Sequence, residues 1–226
     1  MRRSLLFFIF FSVLSTSSYA APCYGTRMPK SKQFFSGAQT HIIFKRYLKD
    51  EQGKLRSTQN FLLVSYGIYD WLSLDLKAGA GNIKQHPSSS DEINYPSAFA
   101  GGYGFRLKLY DHKKTKMVFG FQHISVHPKK VYLGDIKNTA VLDDWQFSFL
   151  VSRDFLKITP YAGVKWSEVD YIHWTDESRK RVKSDRTKNI GLVLGLDLSI
   201  TEKVWLNLEG QVFDSEACAA SLNFSF

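Results

Sequence analysis

Asn189-Ile-Gly-Leu-Val-Leu-Gly-Leu-Asp-Leu-Ser-Ile200 alternates with a strict period of two. Ile190, Leu192, Leu194, Leu196, Leu198 and Ile200 hold the even positions, and Asn189, Gly191, Val193, Gly195, Asp197 and Ser199 the odd ones. Successive side chains of a strand point to opposite faces, so this is a β-strand with one aliphatic face. The next run repeats the pattern, setting Val204, Leu206, Leu208, Gly210 and Val212 against Trp205, Asn207, Glu209 and Gln211. The chain closes on Ser221-Leu-Asn-Phe-Ser-Phe226, with Leu222, Phe224 and Phe226 on one face. Long aliphatic faces in successive strands fit a closed barrel with lipid outside, where an open sheet edge would leave unpaired backbone groups. A secreted β-sandwich is the soluble alternative for the same alternation.

Working back toward the start, ten strands can be counted from Phe34 to Phe226. Connections near Asp70, His112, Leu156 and Thr201 are short, whereas those near Asp50, Ser89, Gly134 and Arg181 are long. The last connection of the long set, Asp214-Ser-Glu216, is the exception. Short turns at one end and long loops at the other are the pattern of bacterial barrels, with the short turns in the periplasm. Tyr69, Trp71, Tyr110, Phe155, Trp205 and Phe226 fall near the inner turns, and Tyr47, Trp145, Trp166 and Phe213 near the outer ones, as interfacial belts require. The fold expected is all-β: a closed antiparallel transmembrane β-barrel of about ten strands in an up-and-down meander.

The front of the chain reads as a secretory signal peptide over residues 1–20. Arg2 and Arg3 supply the charge, Leu5 to Leu14 the short apolar core and Ser18-Tyr-Ala20 the small-x-small cleavage site. Residues 21–33 are expected to form a periplasmic segment, and 34–226 the barrel. The formal charge of +9 across 226 residues includes the two leader arginines. Export makes nucleic acid an improper partner and leaves outer-membrane lipid and anionic lipopolysaccharide as the fitting ones. Two cysteines, Cys23 and Cys218, exclude a disulfide framework and a thiolate metal cluster, and their expected positions at opposite ends predict two free thiols. No metal or cofactor motif is present in the sequence.

Tyr66-Gly-Ile-Tyr-Asp-Trp-Leu-Ser-Leu74, followed by Lys77-Ala-Gly-Ala-Gly81, resembles the strand-turn-strand phrase of small outer-membrane barrels of the opacity-protein and OmpA-barrel type. Ser221 to Phe226 resembles their C-terminal signal, which implies that Leu222, Phe224 and Phe226 are read by the barrel-assembly machinery. The resemblance implies an outer-membrane location and a barrel fold, and carries no catalytic residue.

Parity places Asp75, Lys77, Arg106, Lys108, Lys165, Asp197 and Glu209 in the lumen, with Gln39, His41, Gln122, Gln146, Asn207 and Gln211. Such a mixed-sign interior either pairs as a salt-bridged plug or lines a narrow channel. The plug reading gives a structural or adhesive protein, with solute passage at most minor. On the outer face, His123 and Ser125 share a side, and Asp143 in the next strand has matching parity. A serine, a histidine base and a carboxylate form a nucleophilic set. His-x-Ser followed by an acid resembles the lipid A 3-O-deacylase barrels, which implies an esterase at the outer leaflet. Finally, Arg179, Lys180, Arg181, Lys183, Arg186 and Lys188 crowd the connection 176–188, against Asp176, Glu177 and Asp185. Charge-assisted pairing with phosphate makes this connection a candidate lipopolysaccharide contact.

Overall fold

The structure is a computed structural model and describes residues 22–49, 53–88, 91–184 and 188–226. Its strands are β1 (Phe34–Tyr47), β2 (Lys54–Tyr69), β3 (Leu72–His86), β4 (Ile93–His112), β5 (Thr115–Val126), β6 (Val131–Leu133), β7 (Ile136–Arg153), β8 (Ile158–Thr175), β9 (Ser178–Lys183), β10 (Ile190–Ser199), β11 (Val204–Val212) and β12 (Glu216–Ser225). All pairings are antiparallel, and β12 pairs with both β11 and β1, which closes the sheet on itself.

The twelve segments make ten staves. β6 pairs with β7 on the edge that β5 uses lower down, so β5 and β6 are one stave broken around Pro128. The break still bonds to β4, through His127 N to Phe99 O and Lys129 N to Pro96 O, both 2.8 Å. In the same way β9 and β10 both pair with one edge of β8, one above the other. Connections expected as long loops over 83–97 and 128–141 are largely strand, since β3 runs on to His86, β4 begins at Ile93 and β7 begins at Ile136. Inward apolar residues in these stretches bury themselves only if the strands continue. That burial overrides the polar, proline-containing composition that suggested loops.

The hairpin β11–β12 does not extend with the others, ending at Val212 and restarting at Glu216. Above it β9 reaches across to β1: Leu48 bridges Ser184, and Lys49 N donates to Lys183 O at 2.9 Å. The ten-stave cylinder therefore tapers to eight staves at its hairpin end. Eight strands enclose a space that side chains just fill. Leu55, Ile83, Tyr95, Ile124, Val126, Leu142, Val169 and Tyr171 fill it as one buried apolar cluster.

Below the taper the pattern inverts. Leu62 is 71% exposed, Leu76 61% and Val164 52%, whereas Asp75, Arg106 and Glu209 are buried. An apolar exterior around a charged interior suits hydrocarbon as surroundings. No described helix is long and apolar enough to cross a membrane; the strands do the crossing.

Closure ends at the last residue. Phe226 N donates to Phe34 O at 3.1 Å, and its ring stacks on Phe34 with centroids 4.5 Å apart. Deleting Phe226 is expected to lower the yield of barrel that shows heat-modifiable migration on gels; unchanged yield would contradict its closing role. Leu76→Arg puts a charge on the lipid-facing wall and should destabilise the refolded barrel by about 2–4 kcal/mol. Urea unfolding in lipid vesicles measures it.

Candidate functional sites in the lumen and on the outer wall

The segment 22–33, expected outside the barrel, runs up inside it from the short-turn end. Its backbone carries no strand pattern, so its polar groups must find partners on the barrel wall. At the mouth, Lys32 N donates to Gly67 O at 2.7 Å and Gly67 N to Gln33 O at 2.9 Å. A Cβ on Gly67 would lie 2.1 Å from the Lys30 carbonyl oxygen, so only glycine permits this approach.

Higher up, Arg106 organises the inner lumen. Its Nε and Nη2 grip Asp75 at 2.9 and 2.7 Å, and Nη2 also donates to Ser65 Oγ at 2.9 Å. Nη1 donates to the carbonyls of Arg27 at 2.6 Å and Tyr24 at 3.1 Å. All five N–H donors of the guanidinium are thereby used, three by the wall and two by the segment. Tyr24 lies under Lys77, whose Nζ is 3.9 Å from the ring centroid, and the Arg27 guanidinium sits 4.1 Å over Trp205. The tip is held by its main chain: Cys23 N donates to Glu209 Oε1 at 2.7 Å, and Gln122 Nε2 to Pro22 O at 2.5 Å. Tyr161 OH donates to the second Glu209 oxygen at 2.8 Å, and Asn207 joins Tyr161 to Asp197 at 2.9 and 2.8 Å. Beside Cys23 and Tyr24 a cavity of about 10 Å³ remains, bounded by Gly120, Gln146 and Ser148. That admits one water at most.

Above the tip, a polar collar marks the step from ten staves to eight. Arg46 Nη1 reaches Asp214 Oδ2 at 3.1 Å, Ser215 Oγ at 3.0 Å and Ser167 Oγ at 2.9 Å, while Nη2 reaches Ser184 Oγ at 3.1 Å. Lys165 Nζ lies 2.9 Å from Asp214 and donates to Gln211 at 2.9 Å. Neither Arg46 nor Asp214 was legible as a lumen residue. Strict alternation sends Arg46 outward, but a register shift between Ile43 and Arg46 turns it in. Asp214 belongs to a turn expected at the surface.

Asp75, Lys77, Arg106, Lys165, Asp197 and Glu209 all lie buried in the lumen. Lys108 keeps the same register opposite buried Val118 but sits at the mouth, where it is partly exposed and pairs with Asp111 at 2.9 Å. Both cysteines are free. Cys23 is inside and Cys218 is exposed on the outer wall, so the segment's unforeseen path still does not bring them together.

On the outer wall, β5 and β7 align Ser125 with Asp143 and His123 with Trp145. Ser125 Oγ donates to Asp143 Oδ1, but its histidine partner is His127, with Nε2 at 2.8 Å. His123 instead faces Asp143 at 3.6 Å and packs on Trp145, with ring centroids 4.1 Å apart. Residues 123, 125 and 127 share one face, and spacing alone does not say which histidine meets the serine. Below them, Tyr103, Phe105, Phe121, Phe147 and Trp166 form a run of ring contacts across β4, β5, β7 and β8.

The basic connection contains β9 and is partly neutralised from within. Arg181 pairs with Asp170 and Lys183 with Glu168. The Asp170 carboxylate raises the pKa of the exposed Arg181 guanidinium. Arg179 covers the Trp174 ring at 5.4 Å and Lys188 the Tyr47 ring at 4.0 Å. Lys180 is exposed, and Arg186 lies outside the described residues.

The fold and its inverted surface define a transmembrane β-barrel of the outer-membrane type. The chain is similar to several solved outer-membrane proteins. The outer-membrane protease OmpT from Escherichia coli is 10% identical, with 89% of this chain and 99% of that chain covered and a TM-score of 0.45. An outer-membrane channel from Pseudomonas putida F1 is 9% identical over 92% and 100% of the two chains, with a TM-score of 0.48. The transport unit of the autotransporter AIDA-I from Escherichia coli is 12% identical over 97% of each, also at 0.48. No family model matches the chain, and no curated protein matches it.

Arg106→Ala strips Asp75 of its buried counter-charge and both Tyr24 and Arg27 carbonyls of their donor. A loss of about 3–5 kcal/mol is expected, read from denaturant midpoints in micelles. Replacing Arg106 and Asp75 together by Met and Leu should cost less than the single change.

Proposed function

We propose that this protein is a sealed barrel of the bacterial outer membrane, with the short turns in the periplasm and its working surface at the hairpin end. The observation that carries this reading is the filled lumen. Segment 22–27, the Arg106–Asp75 pair, the Arg46–Asp214 collar and the apolar cluster occupy successive levels of it. A channel would need a continuous polar path, and the eight-stave cluster of buried apolar side chains argues against one. The leader-like residues 1–20 and the closing Phe226 support export and assembly by the outer-membrane machinery. In planar bilayers the purified protein should give no unitary conductance steps, and regular steps would refute the sealed reading.

At the hairpin end, contact with other molecules is the role the surface supports. Tyr132, Leu133 and Ile136 are exposed around the β6–β7 turn, with Lys130 5.6 Å from the Tyr132 ring. Among the described residues Arg179, Lys180 and Lys188 meet no carboxylate, so they are the cations of the basic set best suited to lipopolysaccharide phosphate; Arg181 and Lys183 already have a partner. Reversing Arg179, Lys180 and Lys188 to glutamate should reduce co-purified lipopolysaccharide at low salt, with the difference shrinking as salt screens exposed charge.

A second reading, an esterase acting on outer-leaflet lipid, rests on the Ser125–His127 contact. In it Ser125 is the nucleophile, His127 takes its proton and Asp143 holds the positive charge that forms, with His123 as a second partner of the carboxylate. Mass analysis of lipid A from cells expressing wild type or Ser125→Ala tests it. Identical lipid A in both would remove the reading.

A further inference from the structure

The two obstructions in the lumen are of different kinds. The collar and the apolar cluster above it are built from the barrel wall and from the tip of a wall hairpin. Arg46 belongs to β1, Ser167 to β8, and Asp214 and Ser215 to the β11–β12 turn. None of these groups can leave without unpairing strands. The lower obstruction is a separate piece of chain, joined to the wall only through Gln33 and Phe34. Its strongest contacts are to its main chain: Glu209 takes the Cys23 N–H, Gln122 caps the Pro22 carbonyl, and Arg106 caps those of Tyr24 and Arg27. Its side chains add weaker and more peripheral contacts: Lys77 and Arg106 on the Tyr24 ring, Arg27 on Trp205, Ser199 Oγ and the Glu202 carbonyl, Gln146 on Cys23 Sγ, and Ser31 Oγ on the Ile68 carbonyl.

From this difference we propose that the inner half of the lumen is a blind peptide-binding pocket. It opens only at the short-turn end, accepts an extended peptide by its backbone, and is filled reversibly by the chain's own segment Pro22–Gln33. With the short turns in the periplasm, as proposed above, withdrawal would expose polar wall groups to the periplasm while the outer seal held. The donors and acceptors left behind, Arg106, Gln122 and Glu209, lie near water-accessible space once the segment is gone. They can then be hydrated, which removes the penalty of leaving them unpaired in a dry interior.

Cys23 reports on the segment, since it is only 2% exposed at the tip. In a Cys218→Ser background it is the single thiol of the chain. Gly25 holds φ +68°, and a Cβ there would meet Asn207 Nδ2 at 3.1 Å, so Gly25→Val should favour the withdrawn state. Tyr24→Ala with Arg27→Ala weakens the same docking by removing the cation–ring contacts of Tyr24 and Arg27 and the Arg27 hydrogen bonds to Ser199 and Glu202, and adds no clash. Full-length protein carrying either change is reacted with a small charged methanethiosulfonate and, in parallel, placed in planar bilayers. Heat-modifiable migration checks that the barrel is intact.

Cys23 is expected to react about tenfold or more faster than in the parent, as local opening becomes more populated, while the bilayer stays silent. Fast reaction together with conductance would overturn the blind pocket, because the outer seal would have failed with the inner one. Slow reaction in both variants, with the barrel folded, would overturn reversible filling. Conductance in the parent itself would instead sink the sealed-barrel reading, whatever Cys23 does. A synthetic peptide of residues 22–33 added to the Gly25→Val protein should slow the reaction again, and failure to do so would count against peptide recognition.

Discussion

Every backbone N–H and C=O that faces hydrocarbon must be paired within the protein, and that demand shapes this molecule from end to end. It forces β12 onto β1, because a barrel with one open seam would leave a full strand of groups unpaired, each costing several kcal/mol. The last residue takes part, through Phe226 N to Phe34 O. The same demand explains the taper. Once the β11–β12 hairpin ends, the remaining staves would have free edges at β1 and β9, and the Lys49–Lys183 and Leu48–Ser184 contacts join them. Closure by ten and closure by eight are two answers to one constraint at two heights.

Closing the wall creates a second problem, which is what fills the middle. Ten staves enclose more space than their own side chains occupy, and the chain supplies the missing matter from its own front segment. Arg106 makes that addition specific: two of its five donors have no wall partner and are satisfied only by the Tyr24 and Arg27 carbonyls. Where the cylinder narrows, no such insert is needed and aliphatic and aromatic side chains meet across it. The polar collar of Arg46, Lys165 and Asp214 lies at the join between the two regimes. It ties the β11–β12 turn to β1, the neighbour of β12, and past β10 to β8.

The wall was legible in the sequence because alternation reports which medium each face meets, and two media as different as lipid and a polar lumen make the signal strong. Leu192 and Leu194 beside Val193 and Gly195 could be assigned by parity alone, and so could Asp75, Arg106 and Glu209. The eight-stave region was harder, since apolar residues there face inward as well as outward. Adjacent apolar residues such as Ile42-Ile43 and Tyr171-Ile172 were the available sign of it. A register shift hid Arg46, because one extra residue in a strand reverses parity beyond it. The front segment gave no signal at all: it has no period, and its path is set by groups on the wall more than a hundred residues away. The serine cluster was half legible, as its face and depth follow from parity while its histidine is chosen by side-chain packing on Trp145.

The buried turn at Asp214 and Ser215 also bears on how this barrel could be used. A short turn is where an added sequence disturbs a scaffold least. Here the turn between β11 and β12 is roofed over by β9 and β1, and its aspartate is held by Arg46 and Lys165. An added sequence at that point would have to displace the roof before it met solvent. The turn at Gly134 and Asp135 is the opposite case. It joins β6 to β7 at the tip, with Tyr132, Leu133 and Ile136 already exposed around it. A Cβ at Gly134 would meet nothing within 4 Å. A graft there would stand at the end of the eight-stave region, and its orientation would be inherited from the strands beneath.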